Sequence, residues 1–245
     1  MAAADAPPCR LGVLAFGDSI TNGGGELQWG VALQSWALWT ARALGLPYTG
    51  HARDGARAAD VAGEQLAAFE ADAAADARYH LGALYVGVND VRALDWDPDA
   101  FARDHARVVG TLGDRCDRVL CVTIPVDLGR PRGAHVEAGN AIVLANARAA
   151  GALVLDLRDF RGRALVMADH VHPTALGQLA IAERALAVLA ADGVRARRSP
   201  HALVAYETTR LGRLRGDATY AYRHAKVSAR AAWIRARVAR ARRAG

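Results

Sequence analysis

The sequence is short of several things at once, and each shortage excludes a class of protein. Its 245 residues include only 3 cysteines, Cys9, Cys116 and Cys121, an odd number without a CxxC spacing. That excludes a disulfide framework and points away from a cysteine zinc site. Proline is scarce, at 8 residues, and with 52% hydrophobic and 23% charged residues the chain is neither disordered nor collagen-like. No apolar run approaches the roughly 20 residues that span a bilayer; Leu11–Phe16 has the length of a strand. Met1–Phe16 carries Asp5 and Pro7-Pro8 and no basic stretch, so it does not read as a secretory signal, and a reducing cytoplasm is the expected location. There is no internal repeat with a period of roughly 20 to 50 residues. What is present is enough chain for one large domain with a substantial core.

Charge divides the chain. Arg195–Gly245 holds 13 Arg and 1 Lys against Glu207 and Asp217, a balance of +12. The other 17 basic and 23 acidic residues leave residues 1–194 at −6, within a total of +6. Opposite charge in two parts predicts a domain at 1–194 and a basic extension at 195–245, with the boundary near Asp192-Gly193.

Within the first part, strand and helix signals alternate. Leu11–Phe16, Leu81–Val86, Arg118–Ile124 and Ala152–Asp156 are short apolar runs. Runs without polar alternation suit parallel strands buried on both faces. Helical stretches are expected over Trp29–Leu44, Asp60–Ala77, Asp99–Leu112, Ala138–Ala150 and Thr174–Leu189. The alternation predicts an α/β sandwich with a mostly parallel sheet and helices on both faces. Such sheets bind ligands beyond the carboxyl ends of their strands. Attention therefore falls on Gly17-Asp18-Ser19 after the first run, Gly87–Asp90 after the second and Asp169–His172 late in the domain.

These segments hold residues of catalytic type. Ser19 is one of only four serines and sits at a sharp strand-to-loop transition. A serine hydroxyl needs a base within hydrogen-bond reach, and the base needs a carboxylate to fix its tautomer. Asp169 and His172, three residues apart on one turn, supply that pair, with Pro173 stiffening the loop. His170-x-His172 is also a metal-ligand spacing, but no complementary carboxylate and histidine cluster appears elsewhere. Asn89 offers a side-chain amide and Gly55 an unobstructed backbone N–H to a developing oxyanion. Taken singly, each also reads as an ordinary turn residue.

Taken together, Ser19, Gly55, Asn89 and His172 fall in an order and context that resembles the SGNH-hydrolase family of GDSL-type esterases and lipases. The resemblance lies in Phe16-Gly-Asp-Ser-Ile-Thr-Asn-Gly23, the glycine of Arg53-Asp-Gly-Ala56, Gly87-Val-Asn-Asp90, and Asp169-His-Val-His-Pro173 followed by Gly177. No Gly-x-Ser-x-Gly elbow of the larger α/β-hydrolases is present. The resemblance implies a three-layer, flavodoxin-like α/β/α sandwich with a five-stranded sheet. It implies Ser19 as nucleophile, His172 as base and then acid, and Asp169 as its orienter. The N–H groups of Ser19 and Gly55 and the amide of Asn89 would form the oxyanion hole, with no metal or organic cofactor. Asp18, Asn22, Trp29 and His170 are further candidates for substrate contact, His170 because many relatives carry a small residue there. Trp36 and Trp39 read as core. No insertion resembles a lid that would build a lipid tunnel, so a short acyl chain on a small or carbohydrate-like alcohol is expected. A thioesterase or lysophospholipase, or a non-catalytic binding module, are the alternatives.

The extension has no Gly or Pro over Asp217–Arg243 and is rich in Ala and Arg. Tyr220, Val227, Ala231, Ile234 and Val238 share one face of the helix it predicts. Docking on the acidic domain is one reading of residues 217–243 and contact with an anionic membrane surface is another. Nucleic acid is disfavoured by the lack of a recognition motif.

Overall fold

The computed structural model describes residues 10–27, 31–204 and 209–244. Five parallel strands, β1 (Val13–Gly17), β2 (Tyr48–Gly50), β3 (Leu81–Tyr85), β4 (Val119–Val122) and β5 (Leu153–Leu155), form one sheet in the order β2-β1-β3-β4-β5. Every residue of β1, β3 and β4 is buried, as strands covered on both faces require. Side chains alternate between two cores. Val13, Ala15, Leu81 and Ala83 face one; Leu14, Phe16 and Leu84 face the other.

Helices α1 (Trp36–Leu44) and α6 (Ala175–Ala191) cover the first face. On the second lie α4 (Pro98–Arg115) and a run in which α2 (Ala58–Asp60) passes through a π-helical turn at Val61–Gln65 into α3 (Leu66–Asp72). Helix α5 (Val136–Ala149) reaches both cores, through Val136 and through Val143 and Ala147. The expected sandwich of three layers is the observed one. Trp36 and Trp39 are core residues.

One local expectation is corrected, and one strand that the sequence did not mark completes the expected five. The helix expected from Trp29 begins at Trp36, because Ser35 caps it by accepting the N–H of Ala37. Tyr48–Gly50, too short to show a periodicity, is an edge strand paired with Val13–Ala15. The basic extension contains α7 (Arg210–Ala244), a helix of 35 residues. Among the described residues no helix is long and apolar enough to cross a membrane. Tyr220, Val227, Ala231 and Ile234 form its less exposed side, and Ala231 is buried. The side chain of Val238 lies outside the described residues. Ion pairs from Asp217 to Arg163 and from Arg223 to Glu26 hold α7 against the domain.

Candidate active site

The chain order places a topological switch between β2-β1 and β3, and Ser19 follows β1 just beyond it. Gly17, with φ +152°, brings the backbone so near the Tyr85 carbonyl that a Cβ would lie 2.3 Å from that oxygen. Glycine is therefore required there. Gln65, presented by the π-helical turn, grips the same residue: it accepts the Gly17 N–H at 3.1 Å and donates to the Gly17 carbonyl at 2.8 Å. From α6, the Gln178 amide donates to the carbonyls of Ile20 and Gly24, both at 3.0 Å. The Gly24 N–H donates to the Ser19 carbonyl at 2.6 Å. Ser19 thus rides on a loop fixed from both faces of the sheet, its side chain half-buried.

The loop before α6 completes the arrangement. His172 Nε2 is 2.9 Å from Ser19 Oγ, across 153 residues of sequence. Behind it, His172 Nδ1 is 2.7 Å from Asp169 Oδ2. The other carboxylate oxygen of Asp169 accepts the N–H groups of Val171 at 2.9 Å and His172 at 3.1 Å. With Nδ1–H directed at a carboxylate, Nε2 is left as the acceptor for the serine proton. The hydrogen bond to Asp169 raises the pKa of His172 above its ordinary value, against the opposing effect of burial. Burial opposes the Asp169 carboxylate, but the bonds from His172 and the Val171 N–H outweigh it and hold its pKa below the ordinary value.

Unpaired donors stand in the loops that follow β1, β2 and β3. Among the described residues, neither the Ser19 nor the Gly55 N–H has a hydrogen-bond partner. Gly55 has φ +78°, and a Cβ there would meet nothing, so open space lies before it. Arg53, in the same loop, donates its N–H to the Gly17 carbonyl at 3.2 Å and so ties the loop to β1. Asn89, in the turn that follows β3, donates one amide hydrogen to the Ala56 carbonyl at 2.9 Å, which leaves the second free.

The remaining candidates divide. Asp18 is fully buried, with Oδ1 on the Ile20 N–H at 2.9 Å, so the expected substrate contact is corrected: its side chain turns inward to shape the turn. Burial raises its pKa to about 7, against the opposing effects of the Ile20 N–H and of His172. Asn22 donates to Asp54 at 2.9 Å and joins the Ser19 and Gly55 loops. Trp29 lies outside the described residues. His170 faces Asp127, not Ser19, with Nδ1 3.3 Å from Oδ2. Sequence reasoning missed Gln65, Gln178 and Asp127. The first two are amides buried in the structure, Gln65 in the π-helical turn and Gln178 in α6.

Comparison with known proteins gives the family and the fold. The model of the GDSL-like lipase/acylhydrolase family matches residues 15–180, and the chain belongs to that family, whose members are carboxylic ester hydrolases. No curated protein matches the chain. Solved structures share the fold. Axe2, an acetylxylan esterase from Geobacillus stearothermophilus, is 20% identical over 77% of this chain and 100% of its own, with a TM-score of 0.57. LAE5, an alpha/beta hydrolase enzyme from the metagenome of Lake Arreo, Spain, is 20% identical over 73% of this chain and 94% of its own, with a TM-score of 0.56. TesA is 22% identical over 72% of this chain and 97% of its own, with a TM-score of 0.57.

Proposed function

We propose that this ester hydrolase is a serine esterase acting on short-acyl esters of small or carbohydrate-like alcohols, with Ser19, His172 and Asp169 as its triad. The observation that carries the reading is the unbroken line from Ser19 Oγ through His172 to Asp169, at 2.9 and 2.7 Å. His172 Nε2 takes the Ser19 proton as Oγ bonds to the ester carbonyl carbon. The carbonyl oxygen becomes an oxyanion facing the N–H groups of Ser19 and Gly55 and the Asn89 amide. His172 then gives its proton to the leaving alkoxide, and the alcohol departs from an acyl-Ser19 enzyme. Water, deprotonated by His172, attacks the acyl carbon; the acid leaves and Ser19 recovers its proton.

A cavity of ≈ 310 Å³ is lined by Ile20 and Val171, the sequence neighbours of Ser19 and His172, and by none of the triad residues themselves. The acetylxylan esterase among the structural relatives supports an acetylated carbohydrate. Turnover of p-nitrophenyl acetate by the wild type and by Ser19→Ala tests the assignment. The expected result is a fall of at least about 10,000-fold with an unchanged melting temperature; undiminished turnover contradicts it.

A surface role for α7 rests on a separate observation. Leu211, Leu214, Tyr222 and Trp233 are exposed and fall within an arc of about 100° on the side opposite Tyr220 and Ala231. Arg215, Lys226, Arg237 and Arg240 lie on that same outward side. Leu, Tyr and Trp flanked by cations fit an anionic lipid surface. Cosedimentation with phosphatidylserine vesicles is expected for the full chain and is expected to be lost in a Leu214→Glu, Trp233→Glu double variant. Equal pelleting of the two proteins contradicts the role.

A further inference from the structure

Helix α7 lies beyond the family-matched residues 15–180, and its contacts with the domain gather around one loop. Asp217 pairs with Arg163, Arg223 pairs with Glu26, and the His224 ring lies 6.2 Å from that of His170. Tyr220 stacks on His224 at 6.0 Å and forms part of the cavity wall with Phe160 and Val171.

Each of the three domain residues that α7 meets braces the loop of His172. The Glu26 carbonyl accepts the Ala175 N–H at 2.9 Å. Gly25, just before it, runs so close that a Cβ would lie 2.2 Å from the Pro173 carbonyl oxygen. Arg163 precedes Ala164 and Leu165, whose carbonyls accept the Thr174 hydroxyl at 2.7 Å and the Thr174 N–H at 2.9 Å. Thr174 caps α6 two residues after His172. From the same stretch, the Met167 N–H donates to the His172 carbonyl at 2.8 Å. His170 lies two residues before His172 and has φ +56°, the one non-glycine residue in the left-handed region among the described residues. Such a conformation persists only where surrounding contacts hold it. His172 Nε2 must stay within bonding reach of Ser19 Oγ, 2.9 Å away, and a displacement of about 1 Å in such a site can cost about 100-fold in rate. Both ion pairs of α7 are partly exposed and add little to overall stability. Their effect falls on where the loop sits.

We infer that α7 is a positioning element of the active site: seated on Glu26, Arg163 and His170, it holds the His172 loop where proton transfer from Ser19 needs it. Arg223, Asp217 and His224 are positioning residues that act through those three and touch no reacting atom. The part α7 plays rests on the serine-esterase reading and needs no lipid surface.

The test is steady-state hydrolysis of p-nitrophenyl acetate by the full chain without lipid. Arg223→Glu and Asp217→Arg are each expected to lower kcat by about tenfold. KM is expected to change by less than about twofold and the melting temperature by less than about 3 °C. Restoring each pair with its signs reversed, Glu26→Arg with Arg223→Glu and Arg163→Asp with Asp217→Arg, is expected to return kcat to within about threefold of the wild type. Arg118→Gln, which breaks an ion pair with Asp192 at the amino end of β4, is expected to leave kcat unchanged. Wild-type kcat in both Arg223→Glu and Asp217→Arg, a loss carried by KM alone, a loss that neither reversed pair restores, or an equal loss in Arg118→Gln would overturn this inference alone. No hydrolysis by the wild type would overturn the serine-esterase reading and this inference with it.

Discussion

Two histidines two residues apart on one loop each face a carboxylate, and their surroundings drive them in opposite directions. His172 has a short bond to Asp169 and meets Ser19 with its other nitrogen, and its pKa is raised. His170 has a longer contact with Asp127, and burial, with the Arg130 charge beside it, lowers its pKa. The first pair stabilises an imidazolium, which general-base catalysis needs as the proton arrives. The second keeps a neutral imidazole, suited to accepting a hydrogen bond and unsuited to holding a proton. Geometry, not residue type, separates the two imidazoles.

The comparison is broken most directly at the first pair. Asp169→Asn is expected to lower kcat on p-nitrophenyl acetate by about 1,000- to 10,000-fold, since the amide no longer fixes the Nδ1–H tautomer. A loss under tenfold would make the two pairs equivalent and contradict the division of roles. Next in size, Asn89→Ala is expected to cost about 100- to 1,000-fold in kcat with a smaller change in KM, as the loss of one oxyanion donor does.

The pH profile sharpens the contrast. His172 acts as a base only when deprotonated, and its pKa is raised. The acid limb of kcat/KM is therefore expected above the ordinary histidine value of about 6.5, with activity lost as pH falls through it. An acid limb below that value would contradict the Asp169 bond as its cause.

A further expected effect is on stability. The pKa of Asp18 is raised to about 7, so the folded state holds this proton more tightly than the unfolded chain does. The associated stability is full below the unfolded value near 4 and is lost as pH rises through 7. Asp18→Asn, which keeps an acceptor for the Ile20 N–H, is expected to flatten this decline in thermal melts between pH 4 and 7. An equal slope in both proteins would contradict it.

How much of this was legible in the sequence follows from the range of each interaction. The strands β1 and β3 were legible because apolar runs buried on both faces leave a local signature, and the blocks around Ser19, Gly55, Asn89 and His172 because their chemistry is concentrated in a few adjacent residues. The edge strand Tyr48–Gly50 was not, since three residues carry no period. The start of α1 was misplaced because Ser35 caps it after an apolar stretch that mimics a helix. Gln65 and Gln178 act on the Ser19 loop across 48 and 158 residues, so nothing near them in sequence reveals their partners. Asp127 meets His170 across 43 residues for the same reason. The inward stripe of α7 was readable from its spacing, whereas the seating of Tyr220 against the cavity needed the tertiary structure.

Labelling with a fluorophosphonate, followed by mass mapping of the peptides, reads the activated hydroxyl itself. One adduct is expected, on Ser19, formed more slowly as pH drops below the His172 pKa and absent from Ser19→Ala. A protein left unlabelled at Ser19 under conditions where it hydrolyses esters would contradict covalent acyl transfer through that residue.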